Sequence, residues 1–173
     1  INDPNAVAIA TSNKNNQPNV RMVLLKGLSE KGFVFYTNFN SKKGNELKEN
    51  QKASMCFHWK SLRRQVRAIG KVEEVSSQEA DEYFNSRPYK NRIGAWASSQ
   101  SQILDKRETF LKNIETFEKK YPDQNNVPRP PHWSGWRLLP EEIEFWLDGD
   151  GRIHERLNYK KNKSKWVREL LYP

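Results

Sequence analysis

The residues best equipped for chemistry in this chain are cations placed where cations are expensive. Arg21 and Lys26 bracket Met22, Val23, Leu24 and Leu25, a run that reads as a strand interior. Side chains alternate faces along a strand, so Arg21, Val23 and Leu25 share one face and Met22, Leu24 and Lys26 the other. A cation beside a buried apolar run needs an anion or hydrogen-bonding partner; the alternative is that both sit at strand ends and snorkel into water. The oddity recurs. Lys42 and Lys43 follow Ser41, a candidate N-cap, where the loop from Asn38 feeds a short helix. Lysines in a first turn cost about 0.3 to 1 kcal/mol each against the helix dipole unless an anion sits there. With free backbone N–H groups they make a phosphate cradle, or else a solvated helix end. Arg87 stands four residues after Tyr83, so the pair either holds a phosphate or packs guanidinium on ring. Arg152, His154, Arg156 and Asn158 alternate with Ile153, Glu155, Leu157 and Tyr159. A strand with one cationic face wants an electron-rich partner, or else turns that face to solvent. Gln65 shares a face with Arg63 and Arg67, where its amide either reads a heterocycle edge or lies on the surface.

The elements that must position these groups follow from periodicity and turn chemistry. Ala6 to Thr11 reads as a strand, Asn13 to Pro18 as a turn, and a second strand ends at Lys26. Gly27 to Gly32 reads as another turn before the strand Phe33 to Thr37, which together make a β-meander. Strands are expected over Ala53 to Trp59 and, after a turn at Lys60 to Leu62, Arg63 to Val75. Ser76 and Glu79 form a capping box for a helix with Ala80, Tyr83 and Phe84 on one face. Pro88 interrupts it and a short helix resumes over Ile93 to Ala97. Asp105 to Tyr121 is a helix whose Phe110, Leu111, Ile114 and Phe117 belong to the core. After a proline-containing connector at Asp123 to Pro131, strands return at Trp133 to Leu139, Ile143 to Leu147, Arg152 to Tyr159 and Ser164 to Leu171. A hairpin at Asp148 to Gly151 joins the middle two.

At 173 residues the chain fits a single domain, 1–173, able to bury roughly 70% of its unfolded surface without a staple. One cysteine, Cys56, forbids an intrachain disulfide; its apolar neighbours suggest an inert thiol in a reducing, cytoplasmic setting. No apolar run approaches a membrane span, so no membrane association is expected. The chain begins at Ile1, so an amino-terminal segment is expected to be missing, which leaves a mitochondrial location open beside the cytoplasmic one. A net charge of +9 permits nucleic acid, anionic membranes or phosphorylated small molecules as partners. His58, His132 and His154 lack ligand spacing, so no metal is expected. P-loop, Rossmann and nucleophile-elbow patterns are absent. Cation clusters interleaved with aromatics favour binding a phosphorylated aromatic molecule over attack by a protein nucleophile.

Ordered stretches of this sequence resemble the pyridoxamine 5′-phosphate oxidase family: Asp3 to Ala6, Arg21 to Lys26, Phe35 to Asn38, Ser41 to Lys43, Arg64 to Val66, Tyr83 to Pro88, Ile93 to Trp96, Gln100 with Ser101, Ile143 to Trp146 and Arg152 to Arg156. The resemblance implies an α+β, mainly β, FMN-binding split barrel, homodimeric with flavin at the subunit interface. It implies oxidation of pyridoxamine or pyridoxine 5′-phosphate to pyridoxal 5′-phosphate, with O₂ reduced to H₂O₂. By position, Arg21, Met22, Val23, Leu24, Leu25, Lys26, Tyr36, Thr37, Lys42 and Lys43 would line FMN. Gln65, Gln100 and Ser101 would add contacts, with Trp146 and Arg156 arriving from the partner subunit. Lys26, Tyr83, Arg87 and Asn91 would hold the substrate phosphate. Arg152 and His154 would act over the pyridine ring, with Asp3 as proton acceptor. The chain departs from the family's usual residues at Lys42 (Arg), Asn91 (Ser) and Leu147-Asp148 (Gln-Gly). A rival within the same barrel class is a flavin oxidoreductase with another substrate. A rival of another class is a basic β-barrel that binds single-stranded nucleic acid.

Overall fold

A computed structural model describes residues 1–173 as two compact units: Ile1–Phe35, Glu46–Glu73 and Trp136–Pro173 form the first, Tyr36–Asn45 and Glu74–Gly135 the second.

The first unit is built on a sheet. Its strands are β1 (Ala6–Ser12), β2 (Pro18–Leu24), β3 (Gly27–Ser29), β4 (Gly32–Asn38), β5 (Lys52–Trp59), β6 (Arg64–Glu74), β7 (Trp133–Leu147), β8 (Glu155–Asn162) and β9 (Lys165–Leu171). The order is β2-β1-β5-β6-β7-β4-β3, with β8 paired to β7 and β9 to β8. The expected meander is therefore incorrect, because β2 and β3 lie at opposite ends of the path. The reason is visible in β1, whose alternate residues Val7 and Ile9 are fully buried. It takes β2 on one edge, with Ile9 opposite Arg21, and β5 on the other, with Ile9 opposite Met55. Phe35, Leu47, Met55 and Leu138 complete that core at 0% exposure.

Two further expectations change. The stretch from Gly27 is not all turn: Leu28 pairs with Phe33 and Ser29 with Gly32 in a tight hairpin. Gly32 is required there by a φ of +133° and by the Leu138 carbonyl, which any Cβ would overlap. The two strands expected around Pro140 are one, β7. Its distal half continues past the proline because β8 pairs with it from Glu142 to Leu147, so one missing N–H does not end it.

The hairpin after Leu147 forms, but the next strand starts later than expected. Asp150–Arg152 make a 3-10 turn, and Gly151 (φ 64°) and Arg152 (φ 66°) are both left-handed. Successive left-handed residues cannot extend a strand. Arg152 and His154 thus precede β8 and do not share its face with Arg156 and Asn158.

The second unit is mostly helical. It holds the start of α1 (Lys42–Glu49), then α2 (Ser77–Asn85), α3 (Tyr89–Ala97) and α4 (Arg107–Lys120). Ser76 caps α2 by accepting the Glu79 N–H at 3.1 Å. Pro88 caps α3, and its carbonyl accepts the N–H groups of Asn91 and Arg92. That helix therefore begins at Tyr89 and not at Ile93: a proline there presets the entry backbone without costing a helical donor. The core is Phe84, Ile93, Val127 and Trp133, with Ile114 and Phe117 of α4 packed against it. Leu111 is 44% exposed, contrary to its expected core place, because α4 contributes only a narrow stripe.

Candidate active site

In the second unit the start of α1 is built to receive an anion. Ser41 is buried; its Oγ donates to the Asn38 carbonyl at 2.6 Å and accepts the Gly44 N–H at 3.2 Å, which fixes the helix start. No acidic residue lies in the first turn. Lys42 is exposed, whereas Lys43 is 9% exposed. The Lys43 Nζ donates to Thr37 Oγ1 at 2.6 Å and to Gln100 Oε1 at 2.9 Å, and Thr37 Oγ1 donates to the same Gln100 oxygen at 3.2 Å. Sequence-distant Thr37, Lys43 and Gln100 thus form one cluster around the buried Lys43 side chain. Ser101 follows, exposed and left-handed at φ 71°.

The same unit places Tyr36, Tyr83 and Arg87 around Trp133, a residue that sequence reasoning passed over as a strand start. Tyr36 stacks on Tyr83 (centroids 4.0 Å apart) and on Trp133 (5.3 Å). Arg87 lies beyond the end of α2, and its guanidinium sits 4.7 Å from the Trp133 centroid and 5.7 Å from that of Phe84. Its Nη1 is buried without a hydrogen bond. Burial holds its pKa below the ordinary arginine value, opposed by Tyr83 and reinforced by Arg92. A desolvated guanidinium with an unsatisfied N–H is poised for an anionic acceptor. Asn91 lies exposed on α3.

In the first unit Arg21 has found an internal anion. It donates to Thr11 Oγ1 at 2.5 Å and to Glu46 Oε2 at 3.2 Å. Burial pushes the Glu46 carboxyl up, but hydrogen bonds from Thr11 and Asn19 and the Arg21 charge outweigh it, and the pKa falls below the ordinary value. The neighbouring run is not buried as a strand interior would be: Met22 is 62% and Leu24 45% exposed, Lys26 is exposed, and Val23 and Leu25 are half-buried.

Gln65, Trp146 and Arg156 line one groove of about 520 Å³, walled by Val66, Phe145 and Leu157. Gln65 therefore belongs with the two residues that the resemblance assigns to the partner side of the flavin. Glu144, 3% exposed, accepts from Arg156 Nε at 3.0 Å and Nη2 at 3.1 Å, and also from Arg67 Nη2. The Arg156 bonds, outweighing burial and joined by Arg67, hold the Glu144 carboxyl below its ordinary value. Arg156 Nη1 donates to the Tyr172 carbonyl at 2.9 Å. Beside the groove, the His154 ring lies 4.8 Å from that of Trp146, and Arg152 is exposed in the turn.

Residues 1–121 match the family model described as pyridoxamine 5′-phosphate oxidase, and residues 133–173 match the pyridoxine 5′-phosphate oxidase C-terminal dimerisation region. The chain belongs to the pyridoxamine 5′-phosphate oxidase family. It is 62% identical to the pyridoxine/pyridoxamine 5′-phosphate oxidase of Pelagibacter ubique and 55% identical to that of Bartonella henselae, in each case over 100% of this chain and 84% of the relative. Among solved structures, PhzG from Burkholderia lata, crystallised with tetrahydrophenazine-1-carboxylic acid, superimposes with a TM-score of 0.94 at 29% identity, covering 100% of this chain and 84% of PhzG. An FMN-binding protein from Nostoc punctiforme shares the fold, with a TM-score of 0.80 at 18% identity over 100% of this chain and 90% of that one.

The pyridoxamine 5′-phosphate oxidase family uses FMN, and the residues present fit it. A phosphate requires cations and N–H donors without competing carboxylates, which the first turn of α1 supplies through Lys42, Lys43 and its backbone. A planar, amide-bearing ring requires apolar walls with a few polar groups, which the groove supplies through Trp146, Gln65 and Arg156. Glu46, Glu144 and Trp133 were missed as site residues. For Glu144 a signal existed: a carboxylate between Ile143 and Phe145 in an apolar strand needs a cation, by the reasoning already applied to Arg21.

Proposed function

We propose that this chain oxidises pyridoxamine or pyridoxine 5′-phosphate to pyridoxal 5′-phosphate, as a homodimer with FMN at the subunit interface. The observation that carries this is the 62% identity over the whole chain to the Pelagibacter ubique enzyme. Bound FMN supplies the acceptor for the substrate's hydride and passes the electrons to O₂, giving H₂O₂. The redox power is the cofactor's; the protein supplies binding and alignment.

Lys42, Lys43, Thr37, Gln100 and Ser101 are assigned to the FMN phosphate and ribityl chain, as are Tyr36 and the Arg21 to Lys26 stretch. Gln65, Trp146 and Arg156 are assigned to the ring. The substrate phosphate is assigned to Arg87, whose buried Nη1 awaits an acceptor, together with Tyr83, Asn91 and Lys26. Charge-assisted hydrogen bonds contribute about 1.5 to 3 kcal/mol each, so a few per phosphate anchor the molecule without a covalent link. Arg152 and His154, on the turn beside Trp146, are assigned to the pyridine ring, Arg152 pressing it in place and His154 orienting the reacting edge.

The test is direct. Purified protein should be yellow with a flavin spectrum, and should form pyridoxal 5′-phosphate and H₂O₂ from pyridoxine 5′-phosphate in air. A flavin-loaded protein inert towards both phosphorylated vitamers would point to another oxidoreductase of the same barrel. A colourless protein that binds oligonucleotides with steep salt dependence would overturn the flavin assignment.

A further inference from the structure

We propose that Asp148 is a positioning residue that selects the tautomer of His154, and that Arg63 holds Asp148 for this purpose. The proposal rests on the assignment of His154 to the substrate ring. Its geometry is independent of that assignment. Asp148 Oδ1 lies 3.1 Å from His154 Nδ1. The other carboxylate oxygen accepts from Arg63 Nε at 2.9 Å, and the Asp148 N–H donates to the Arg63 carbonyl, also at 2.9 Å. Arg63 reaches further to Asp150 Oδ1 at 3.0 Å. One arginine from the β5–β6 connection therefore grips two residues, Asp148 and Asp150, in the first half of the turn that carries Arg152 and His154.

The backbone is committed to this arrangement. Arg63 is left-handed, with φ 53°, a conformation that a non-glycine residue adopts only at a steric cost. Its two carboxylate bonds, Asp150 first and Asp148 second, raise its pKa above the ordinary value. Across the turn, any Cβ on Gly149 would overlap the Ile153 carbonyl. Glycine there lets the chain double back so that His154 meets Asp148, and the Trp146 ring lies 4.8 Å from the imidazole, tilted by 44°.

The chemistry follows from what Nδ1 must choose. The carboxylate requires a proton on Nδ1, whereas the Gly149 N–H, aimed at the same nitrogen from 3.2 Å, requires a lone pair. An ionised acceptor makes a hydrogen bond roughly twice as strong as a neutral one, so Nδ1 carries the hydrogen. In the neutral ring this leaves Nε2 as the acceptor. His154 can then take an N–H or O–H from the substrate's amine or alcohol. In the opposite tautomer it would present a donor to a donor. The pair thus converts a histidine able to face the substrate either way into one that faces it one way.

The experiment compares wild-type holoenzyme with Asp148→Asn, Asp148→Glu, Arg63→Met and His154→Ala. Ring ¹⁵N shifts in histidine-labelled protein, assigned by loss of the signal in His154→Ala, report the tautomer. Steady-state kinetics with pyridoxine 5′-phosphate, FMN affinity and Tm report the consequences. Wild type should show Nδ1–H. Asp148→Asn, whose amide can donate to Nδ1, should shift His154 to Nε2–H and lower kcat at least about tenfold, short of the ~10²–10⁴ of a lost acid–base group. KM and FMN affinity should stay near wild type, and Asp148→Glu should restore part of the turnover. Arg63→Met should shift the tautomer partially in the same direction, and it serves as the test if Asp148→Asn does not fold. An unchanged tautomer, or unchanged kcat, in Asp148→Asn alongside an inactive His154→Ala would overturn the proposal and leave the site assignment standing. Wild-type turnover in His154→Ala would overturn both.

Discussion

Arg156 enters its groove with a guanidinium already turned by Glu144, and Arg87 waits over Trp133 with an N–H unsatisfied. These two arginines have opposite preparations and so opposite expected phenotypes. Removing Arg87 should act on the substrate phosphate. Arg87→Ala is expected to raise KM for pyridoxine 5′-phosphate by ~10- to 100-fold, the equivalent of one charge-assisted bond at about 1.5 to 3 kcal/mol, with FMN affinity unchanged. Steady-state kinetics with a parallel FMN titration checks this. Glu144→Gln should instead act on the cofactor side. It sets an amide N–H₂ against two arginines, so FMN should dissociate more readily and the fold should lose about 1 to 3 kcal/mol. Flavin fluorescence and urea midpoints measure the two effects. Arg152→Leu is expected to cut turnover far more than FMN affinity, because the residue sits in the exposed turn and not in the groove; equal losses would contradict its assignment.

At the scale of elements, the site depends on where helices and turns start. Ser41 caps the first turn of α1 by accepting the Gly44 N–H, and no acid competes there with an incoming anion. Lys43→Ala should therefore weaken FMN binding through the cluster with Thr37 and Gln100. Ser76→Ala is a control of pure scaffold: it removes the cap on Glu79 N–H and should cost about 1 kcal/mol in denaturant titration without altering FMN affinity. The turn from Asp148 to His154 is the element that periodicity misplaced. Alternation of Arg152, His154 and Arg156 looks like one strand face, yet two left-handed residues break it. What replaces the strand is a turn stitched by Arg63, at a position where the chain carries Leu147-Asp148.

For the whole molecule, acid should be the condition that separates fold from unfolded chain. The carboxyls of Glu46 and Glu144 are both held below the ordinary value of 4.5. A group depressed in the folded state binds fewer protons there than in the unfolded chain, so its contribution is complete above that ordinary value. It is lost as pH falls through the depressed values. Tm should be flat near neutrality and fall below about pH 4.5, the ordinary value of these carboxyls. Glu46→Gln and Glu144→Gln should each be less stable at neutral pH and lose less on acidification. Calorimetry across that range checks the sign. Dimerisation belongs to this scale too: residues 133–173 match a dimerisation region, and Leu170 (83%), Phe145 (45%) and Trp166 (42%) are apolar surface exposed in the single chain.

The sequence alone determined which groups are cationic, which stretches are strands or helices, and, by ordered motifs, the family. Those are local facts: alternation, capping and turn residues act over a few positions. It missed the sheet order, because β1 pairs with its chain neighbour β2 on one edge and with the sequence-distant β5 on the other, a choice that no local pattern records. It missed the partners of the cations for the same reason. Glu46 meets Arg21 across 25 residues, Arg67 meets Glu144 across 77, and Arg63 meets Asp148 across 85. A charge announces in one dimension that it needs a counter-charge; only the packed chain brings a particular one within hydrogen-bonding distance.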